Sequence, residues 1–171
     1  MRSYINLRIC LVIVLVAVGY AHASQVLIPV VSQGETFVTS ATGKIKVQVK
    51  IITHEVQIGK PSDRGHSGIE SSCTYSKYPC SIVDRIEITV DSNSLFIPRS
   101  IFCDLADLNR AEVKTGQKIA TLTLYGGDAS ESYVVNIEFD ADGVKRRILL
   151  SAMFPDQPLQ ETIYYVRVLG D

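Results

Sequence analysis

A strict alternation of apolar and polar side chains over residues 44–52 sets the narrowest limits on the fold of this chain. The apolar positions are Ile45, Val47, Val49 and Ile51, and the polar positions are Lys44, Lys46, Gln48 and Lys50. Successive side chains of a β-strand point to opposite faces, so a period of two describes a strand with one buried and one solvated face. We therefore predict an antiparallel sheet that buries one of its faces.

Similar runs recur along the chain and are separated by glycine, aspartate and proline at roughly 8–15-residue spacing. We expect further strands over residues 25–31, 37–40, 82–91, 95–98, 119–125, 132–140, 144–151 and 162–169. Asp140-Ala141-Asp142-Gly143 is predicted to be a hairpin turn rather than the opening of a calcium loop. This pattern predicts a mainly β fold: a single antiparallel β-sandwich or barrel-like domain with one short helix.

The short helix is expected over residues 100–110, with Ser100 as its N-cap and two or three turns covering one end of the sheet. Cys103 falls within this segment, and we expect it to be a buried small hydrophobe rather than a nucleophile. Arg146 and Arg147 are neighbours in a predicted strand and so point to opposite faces. We expect one of the two to lie on the covered side of the sheet with an acidic partner.

The first residues have the features of a secretory signal peptide. A basic start, an apolar run over residues 9–19 and the small-residue site Ala21-His22-Ala23 together form this pattern. The apolar run is shorter than the ~20 residues that a membrane-spanning helix needs, and no later run is longer. We predict that residues 1–23 are a cleaved signal peptide and that residues 24–171 are a single β-rich domain. The mature protein would then be periplasmic or secreted, with no transmembrane segment after cleavage.

The charge balance disfavours one class of partner. The chain has 17 basic and 18 acidic side chains, and cleavage removes Arg2 and Arg8, so 15 basic side chains face 18 acidic ones, a net charge of −3. Nucleic-acid binding relies on an excess of basic side chains, so no nucleic acid is expected as a partner. Lys44, Lys46 and Lys50 form a basic stripe that favours solubility, with a polysaccharide as an alternative partner.

Residues 59–81 differ from the rest, because they contain three glycines, two prolines and little apolar periodicity. Such a long loop in a compact domain is often functional. In an exported chain, Cys73 and Cys80 are predicted to form a disulfide that fixes this loop. A metal site built from these cysteines with His54 or His66 lacks the usual ligand spacing, so neither a metal nor a cofactor is predicted.

Two loops carry the candidate contacts with a partner. The segment between the cysteines exposes tyrosines around a lysine, and tyrosine gives a large contact area at low entropic cost. Residues 126–132 form a glycine-rich loop with acidic side chains that repel phosphate. The candidate binding residues are Tyr75, Lys77, Tyr78, Asp128 and Glu131. The alternatives are that both rings pack back onto the sheet and that the second loop is only a turn.

No catalytic residue is predicted. Gly65-His66-Ser67-Gly68-Ile69 departs from the G-x-S-x-G elbow of hydrolases, because its last position is isoleucine and its context is a loop. Ser67-Gly68 followed by Tyr75 resembles, over one loop and at looser spacing, the Ser-Gly…Tyr loop that periplasmic lysozyme inhibitors insert into the lysozyme cleft. The resemblance implies inhibition as one form of protein binding, and no residue role is carried over from that family.

Taken together, these features favour an exported, non-enzymatic protein-binding domain, with an inhibitor or immunity-type protein as one concrete form. The alternative is an envelope protein that binds carbohydrate or a small ligand, or that serves as a structural subunit. An enzyme ranks third.

Overall fold

Ten β-strands in two antiparallel sheets make up most of the computed structural model, which describes residues 26–40, 45–57, 73–75 and 77–165. The strands are β1 Ile28–Pro29, β2 Gly34–Ser40, β3 Val47–Val56, β4 Cys80–Val90, β5 Asn93–Ser94, β6 Leu108–Thr115, β7 Ala120–Gly126, β8 Tyr133–Asp140, β9 Gly143–Ser151 and β10 Phe154–Ile163. One sheet has the order β1-β6-β7-β8-β9-β10 and the other β2-β3-β4-β5. The predicted mainly β, sandwich-like fold is confirmed.

The core lies between the two sheets. In β3 the apolar positions of the alternation, Val47, Val49 and Ile51, are buried, while Gln48 between them is exposed. They belong to one cluster with inward side chains of the six-stranded sheet, including Leu122, Leu124, Ile137 and Phe139. Burying a side chain of this size contributes roughly 1.5–3 kcal/mol to the stability of the fold. The shared cluster is therefore the main source of the free energy that holds the sheets together.

A β-bulge divides β4 into two parts. Ile52 pairs with Arg85 and Thr53 pairs with Val83, so Asp84 is the extra residue on the β4 side. Bulges bend a strand and change the direction of the side chains beyond them. The part of β4 before the bulge runs to Cys80, and this brings the first residue of the strand to one end of the sandwich.

The prediction of a helix over residues 100–110 is wrong. This segment instead contains one 3₁₀ turn, Arg99–Ile101, without a side-chain cap, and β6 begins at Leu108. The segment between them pairs with β4 instead, because the Val83 N–H donates to the Leu105 carbonyl (3.1 Å). Asp107 then has a φ of +50°, which a right-handed helix does not allow.

Cys103 also differs from its prediction, since this cysteine is exposed rather than buried. The helical face that was to bury it does not form. The prediction of a strand over residues 95–98 is wrong as well, because β5 ends at Ser94. The strands that were not predicted are the two-residue β5, β6 and the larger part of β10.

β4, β7, β8 and β9 lie within two residues of their predicted bounds, whereas β1, β2 and β3 overlap their predictions but differ by three or four residues at one end or both. The hairpin at residues 140–143 is confirmed by the pairing of Asp140 with Gly143. Several predictions lie outside the described residues: the signal peptide, Lys44, and the segment with His66 and Ser67. None of the helices in the described part of the chain has the length and apolar character required to cross a membrane.

Candidate functional site

The candidate residues lie at the end of the sandwich where β4 begins. Two segments meet there: residues 73–80, here called the disulfide loop, and residues 126–132, here called the acidic loop. The turn before β6, which contains Asp107, lies against both loops. The structure therefore brings together two segments that the sequence could only propose separately.

The predicted disulfide between Cys73 and Cys80 is present, with a Cα–Cα distance of 5.7 Å. Both cysteines are buried in a small apolar cluster with Ala106. A bridge that closes a ring of this length contributes roughly 2–3 kcal/mol by restricting the unfolded chain. The bridge also fixes both ends of the disulfide loop onto the sheet, and it is compatible with an oxidising, exported location.

A buried carboxylate that sequence reasoning missed fixes the same loop a second time. Asp107 is 2% exposed, and its two side-chain oxygens accept the backbone N–H groups of Thr74 (2.8 Å) and Ser81 (2.9 Å). Its own N–H donates to the Ser81 carbonyl, and its carbonyl accepts the Gly127 N–H (3.2 Å). Asp107 therefore connects the disulfide loop, β4 and the acidic loop through backbone groups.

The two loops are also joined directly. The Tyr75 N–H donates to Oε2 of Glu131 at 2.8 Å. Glu131 ends a short 3₁₀ turn, Ala129–Glu131, and Asp128 caps this turn by accepting the Ala129 N–H at Oδ1. The carboxylate of Asp128 thus shapes the acidic loop, whereas that of Glu131 holds the disulfide loop.

The acidic loop requires glycine at its start. Gly127 has a φ of +73°, and an added Cβ would lie 2.2 Å from the Glu131 carbonyl oxygen. At Gly126 an added Cβ would lie 2.3 Å from the ring of Tyr133. These two positions let the loop turn tightly over the Tyr133 ring.

Lys77 and the two tyrosines occupy different positions in the disulfide loop. Lys77 Nζ donates to Oδ1 of Asn109 at 2.6 Å, so the lysine side chain reaches back to the base of the site. Tyr75 is 60% exposed and Tyr78 is 49% exposed. These exposures do not match the alternative in which both rings pack back onto the sheet.

Tyr133 forms the floor between the loops. Its hydroxyl donates to the Ala106 carbonyl (2.5 Å) and accepts the Ala106 N–H (3.2 Å). Burial raises the pKa of Tyr133 well above its ordinary value, and the carboxylates of Asp107 and Asp104 raise it further. The hydroxyl therefore remains protonated and holds the turn before β6.

Arg147 supports the site from the sheet. It is 1% exposed, and its Nη2 donates to both side-chain oxygens of Asp104 (2.8 and 2.7 Å). Its Nε donates to the Ile101 carbonyl (3.0 Å). The prediction that one of the two adjacent arginines lies on the covered side with an acidic partner is confirmed, and the partner is Asp104.

No protein-family model matches the chain, and neither a curated protein nor a solved structure shows significant similarity to it. Within the described ranges, no group of three or more His, Cys, Asp or Glu side chains is placed to hold a metal ion. The function must therefore be argued from the geometry of this end of the sandwich.

Proposed function

We propose that this chain is an exported protein-binding domain that contacts its partner through Tyr75 and Tyr78, here called the tyrosine tip. One observation carries the proposal: two exposed tyrosines lie on a loop whose backbone is fixed by the disulfide, by Asp107 and by Glu131. An exported inhibitor or immunity-type protein is one concrete form of this function.

Preorganisation of the disulfide loop lowers the entropic cost of binding a partner. A flexible loop loses conformational entropy when it binds, and each ordered side chain costs roughly 0.5–1.5 kcal/mol. The hydrogen bond from the Tyr75 N–H to Glu131 orders the backbone before any partner arrives. Tyrosine adds a large amphipathic surface with only two side-chain torsions, and it is enriched at the energetic centres of protein interfaces.

The carbohydrate alternative receives less support from the charges. Its basis is the basic stripe, of which Lys50 lies on β3. Lys50 Nζ is 2.9 Å from a carboxylate oxygen of Glu87 and 3.5 Å from one of Glu35. These hydrogen bonds and charges raise the pKa of Lys50, and the lysine lowers the pKa of Glu87. A lysine already paired with two carboxylates attracts a polyanion weakly, so the sheet face is a poorer candidate surface than the tyrosine tip.

Capture of a partner tests the proposal. The tagged protein is incubated with extract of the source organism's cell envelope and with its culture medium, in parallel with a Tyr75→Ala/Tyr78→Ala variant. A Phe96→Ala/Tyr165→Ala variant is the matched control, because Phe96 and Tyr165 are also exposed aromatic residues but lie outside both loops. We expect one protein that the wild type and the control retain and that the tyrosine variant loses.

For the purified pair, loss of two central tyrosines should weaken binding by about 30-fold or more, the range of interface hot spots. The melting temperature of the tyrosine variant should stay within about 2 °C of the wild type, because surface substitutions change stability little. Equal retention of every captured protein by the wild type and the tyrosine variant would contradict the proposal.

A further inference from the structure

Next to the tyrosine tip lies a cavity of about 290 Å³, at the junction of the disulfide loop, the acidic loop and β10. Its apolar wall consists of Leu105, Leu149 and Leu159 together with Tyr133, and its polar groups include Asp104 and Glu131. Small-molecule pockets measure roughly 300–1,000 Å³, so this cavity is at the lower limit of that range. Its size suits one inserted side chain better than a drug-sized ligand.

The charges around the cavity select the kind of side chain. None of the described residues that line it is basic. Asp104 is neutralised by Arg147, which approaches from the sheet. Glu131 has no ion-pair partner among the described residues, and its Oε2 accepts only a neutral backbone N–H, that of Tyr75. The cavity is therefore negative at the side of Glu131, and it would repel an acidic group.

The apolar wall of the cavity also limits which kind of side chain fits into it. Lysine and arginine bury an aliphatic stem against apolar surface while their charged end remains near water or a carboxylate. Leu159 is 66% exposed, and it forms the outer lip of the cavity where β10 bulges away from β9. A basic side chain would therefore place its stem along the leucines and its charge at Glu131, whereas a purely apolar side chain would leave that carboxylate without a counter-charge.

We propose that this cavity accepts a single lysine or arginine side chain of the protein partner, which pairs with Glu131 beside the tyrosine tip. The inference rests on the proposed function, because it assumes that the partner is a protein. It names the chemistry of the partner: a basic side chain that lies next to the surface bound by Tyr75.

The test uses blocked amino acids as probes and the ¹⁵N–¹H NMR spectrum of the protein as the readout. The probes are N-acetyl-lysine methylamide, its arginine equivalent and the uncharged isostere N-acetyl-norleucine methylamide. We expect the basic probes to shift the amide signals of Tyr75, Leu105 and Leu159 at millimolar concentration, and the norleucine probe to bind about tenfold more weakly, because a charged hydrogen bond is worth about one factor of ten.

Glu131→Gln is the decisive variant. Glutamine keeps a carbonyl oxygen that can accept the Tyr75 N–H, so the loop geometry is retained while the charge is lost. Glu35→Gln is the matched control, with the same chemical change on the outer face of the other sheet. We expect Glu131→Gln to lose about tenfold in affinity for the basic probes and Glu35→Gln to lose none. Equal binding of norleucine and lysine, equal binding by Glu131→Gln, or no shifts at the cavity overturns the inference.

The two proposals fail in different ways. If the captured partner is lost by the Tyr75→Ala/Tyr78→Ala variant but retained with unchanged affinity by Glu131→Gln, the binding function stands and the basic-side-chain inference falls. If no captured protein depends on the tyrosine tip, the proposed function falls as well.

Discussion

Replacing Asp107 by alanine should destabilise this protein more than any surface substitution at the same end of the sandwich. The carboxylate of Asp107 is almost fully buried and accepts two backbone N–H groups, from Thr74 and Ser81. Alanine removes both acceptors without filling the space. The two N–H groups would then lack a hydrogen-bond partner inside the protein, unless water enters.

The size of the effect follows from these two bonds. A buried donor left without its acceptor costs about 1–3 kcal/mol, so two such donors cost about 2–6 kcal/mol. The positive φ of Asp107 adds about 1 kcal/mol, because alanine tolerates that conformation less well than aspartate. We therefore expect Asp107→Ala to lower the free energy of unfolding by about 3–7 kcal/mol. For a chain of this length, that corresponds to a fall in melting temperature of roughly 6–28 °C.

Asp91 provides a matched control. It has nearly the same φ, +47°, and its Oδ1 accepts the Lys46 N–H at 2.8 Å. Asp91 is exposed, however, so water can replace the lost acceptor in Asp91→Ala. The penalty for a positive φ is common to both variants, and the difference between them, expected at about 2–6 kcal/mol, isolates the burial of the hydrogen bonds.

Urea denaturation followed by circular dichroism measures both variants, with the disulfide intact. The rate at which a thiol reagent reduces the Cys73–Cys80 bond gives a local readout, because the loop should open more often once Asp107 is lost. We expect faster reduction in Asp107→Ala and an unchanged rate in Asp91→Ala. An Asp107→Ala variant that is no less stable than Asp91→Ala would refute the reasoning that this buried carboxylate fixes the loop.

Three further changes test other parts of the structure. Arg147→Met should lower the free energy of unfolding in urea by about 1–3 kcal/mol, because it leaves the buried Ile101 carbonyl without its donor, and a change below 0.5 kcal/mol would contradict this role. Gly126→Ala should cost about 1–3 kcal/mol by overpacking against the ring of Tyr133, and a double-mutant cycle should show that this cost largely disappears in a Tyr133→Ala background. Burial raises the pKa of Asp140, but hydrogen bonds from Lys145 and from backbone N–H groups more than offset this, and its pKa is lowered overall. The stability advantage of the wild type over Asp140→Asn should therefore be complete above about pH 5 and disappear as the pH falls through the folded-state pKa, as thermal denaturation between pH 2.5 and 6 would show.

Most strands that bury one face were predictable from the sequence, whereas the largely exposed β10 was missed. β3 is recognisable in the sequence because Val47, Val49 and Ile51 alternate with polar residues. These three side chains lie on one side of the strand and are buried in the core. β10 carries no such signal, since nearly all of its side chains are exposed and it contains Pro155 and Pro158. Alternation reports burial rather than strand conformation, so an exposed edge strand has no pattern to detect.

The false helix has a comparable cause. Ile101, Leu105 and Leu108 have the three- and four-residue spacing of an amphipathic helix, and all three are buried. The same spacing arises here from a 3₁₀ turn followed by a segment that pairs with β4. Only a contact distant in sequence distinguishes these two cases, and a local pattern does not contain it.

The candidate site was predictable from composition only in part. Tyr75 stood out because it lies between two cysteines predicted to form a disulfide, and Glu131 because it belongs to an acidic cluster in a predicted loop. Asp107 did not, because its partners lie 33 and 26 residues away and an aspartate in an apolar stretch has no local signature. The exposed residues of a binding surface can thus be proposed from sequence, while the buried residue that holds them in place requires the structure.

Because the exposed rings and the buried residues that hold the loop are different side chains, mutations can test binding and stability separately. Glu131 holds the disulfide loop through the backbone N–H of Tyr75, so Tyr75→Ala removes the ring and keeps that hydrogen bond. Asp107 likewise acts on backbone groups of the loop and not on the exposed rings. Changes at the tyrosine tip should therefore alter partner affinity with the fold intact, whereas Asp107→Ala should reduce affinity only as far as it disorders the loop. A partner affinity that falls as strongly in Asp107→Ala as in the tyrosine variant would show that the order of the loop, rather than the area of its rings, dominates recognition.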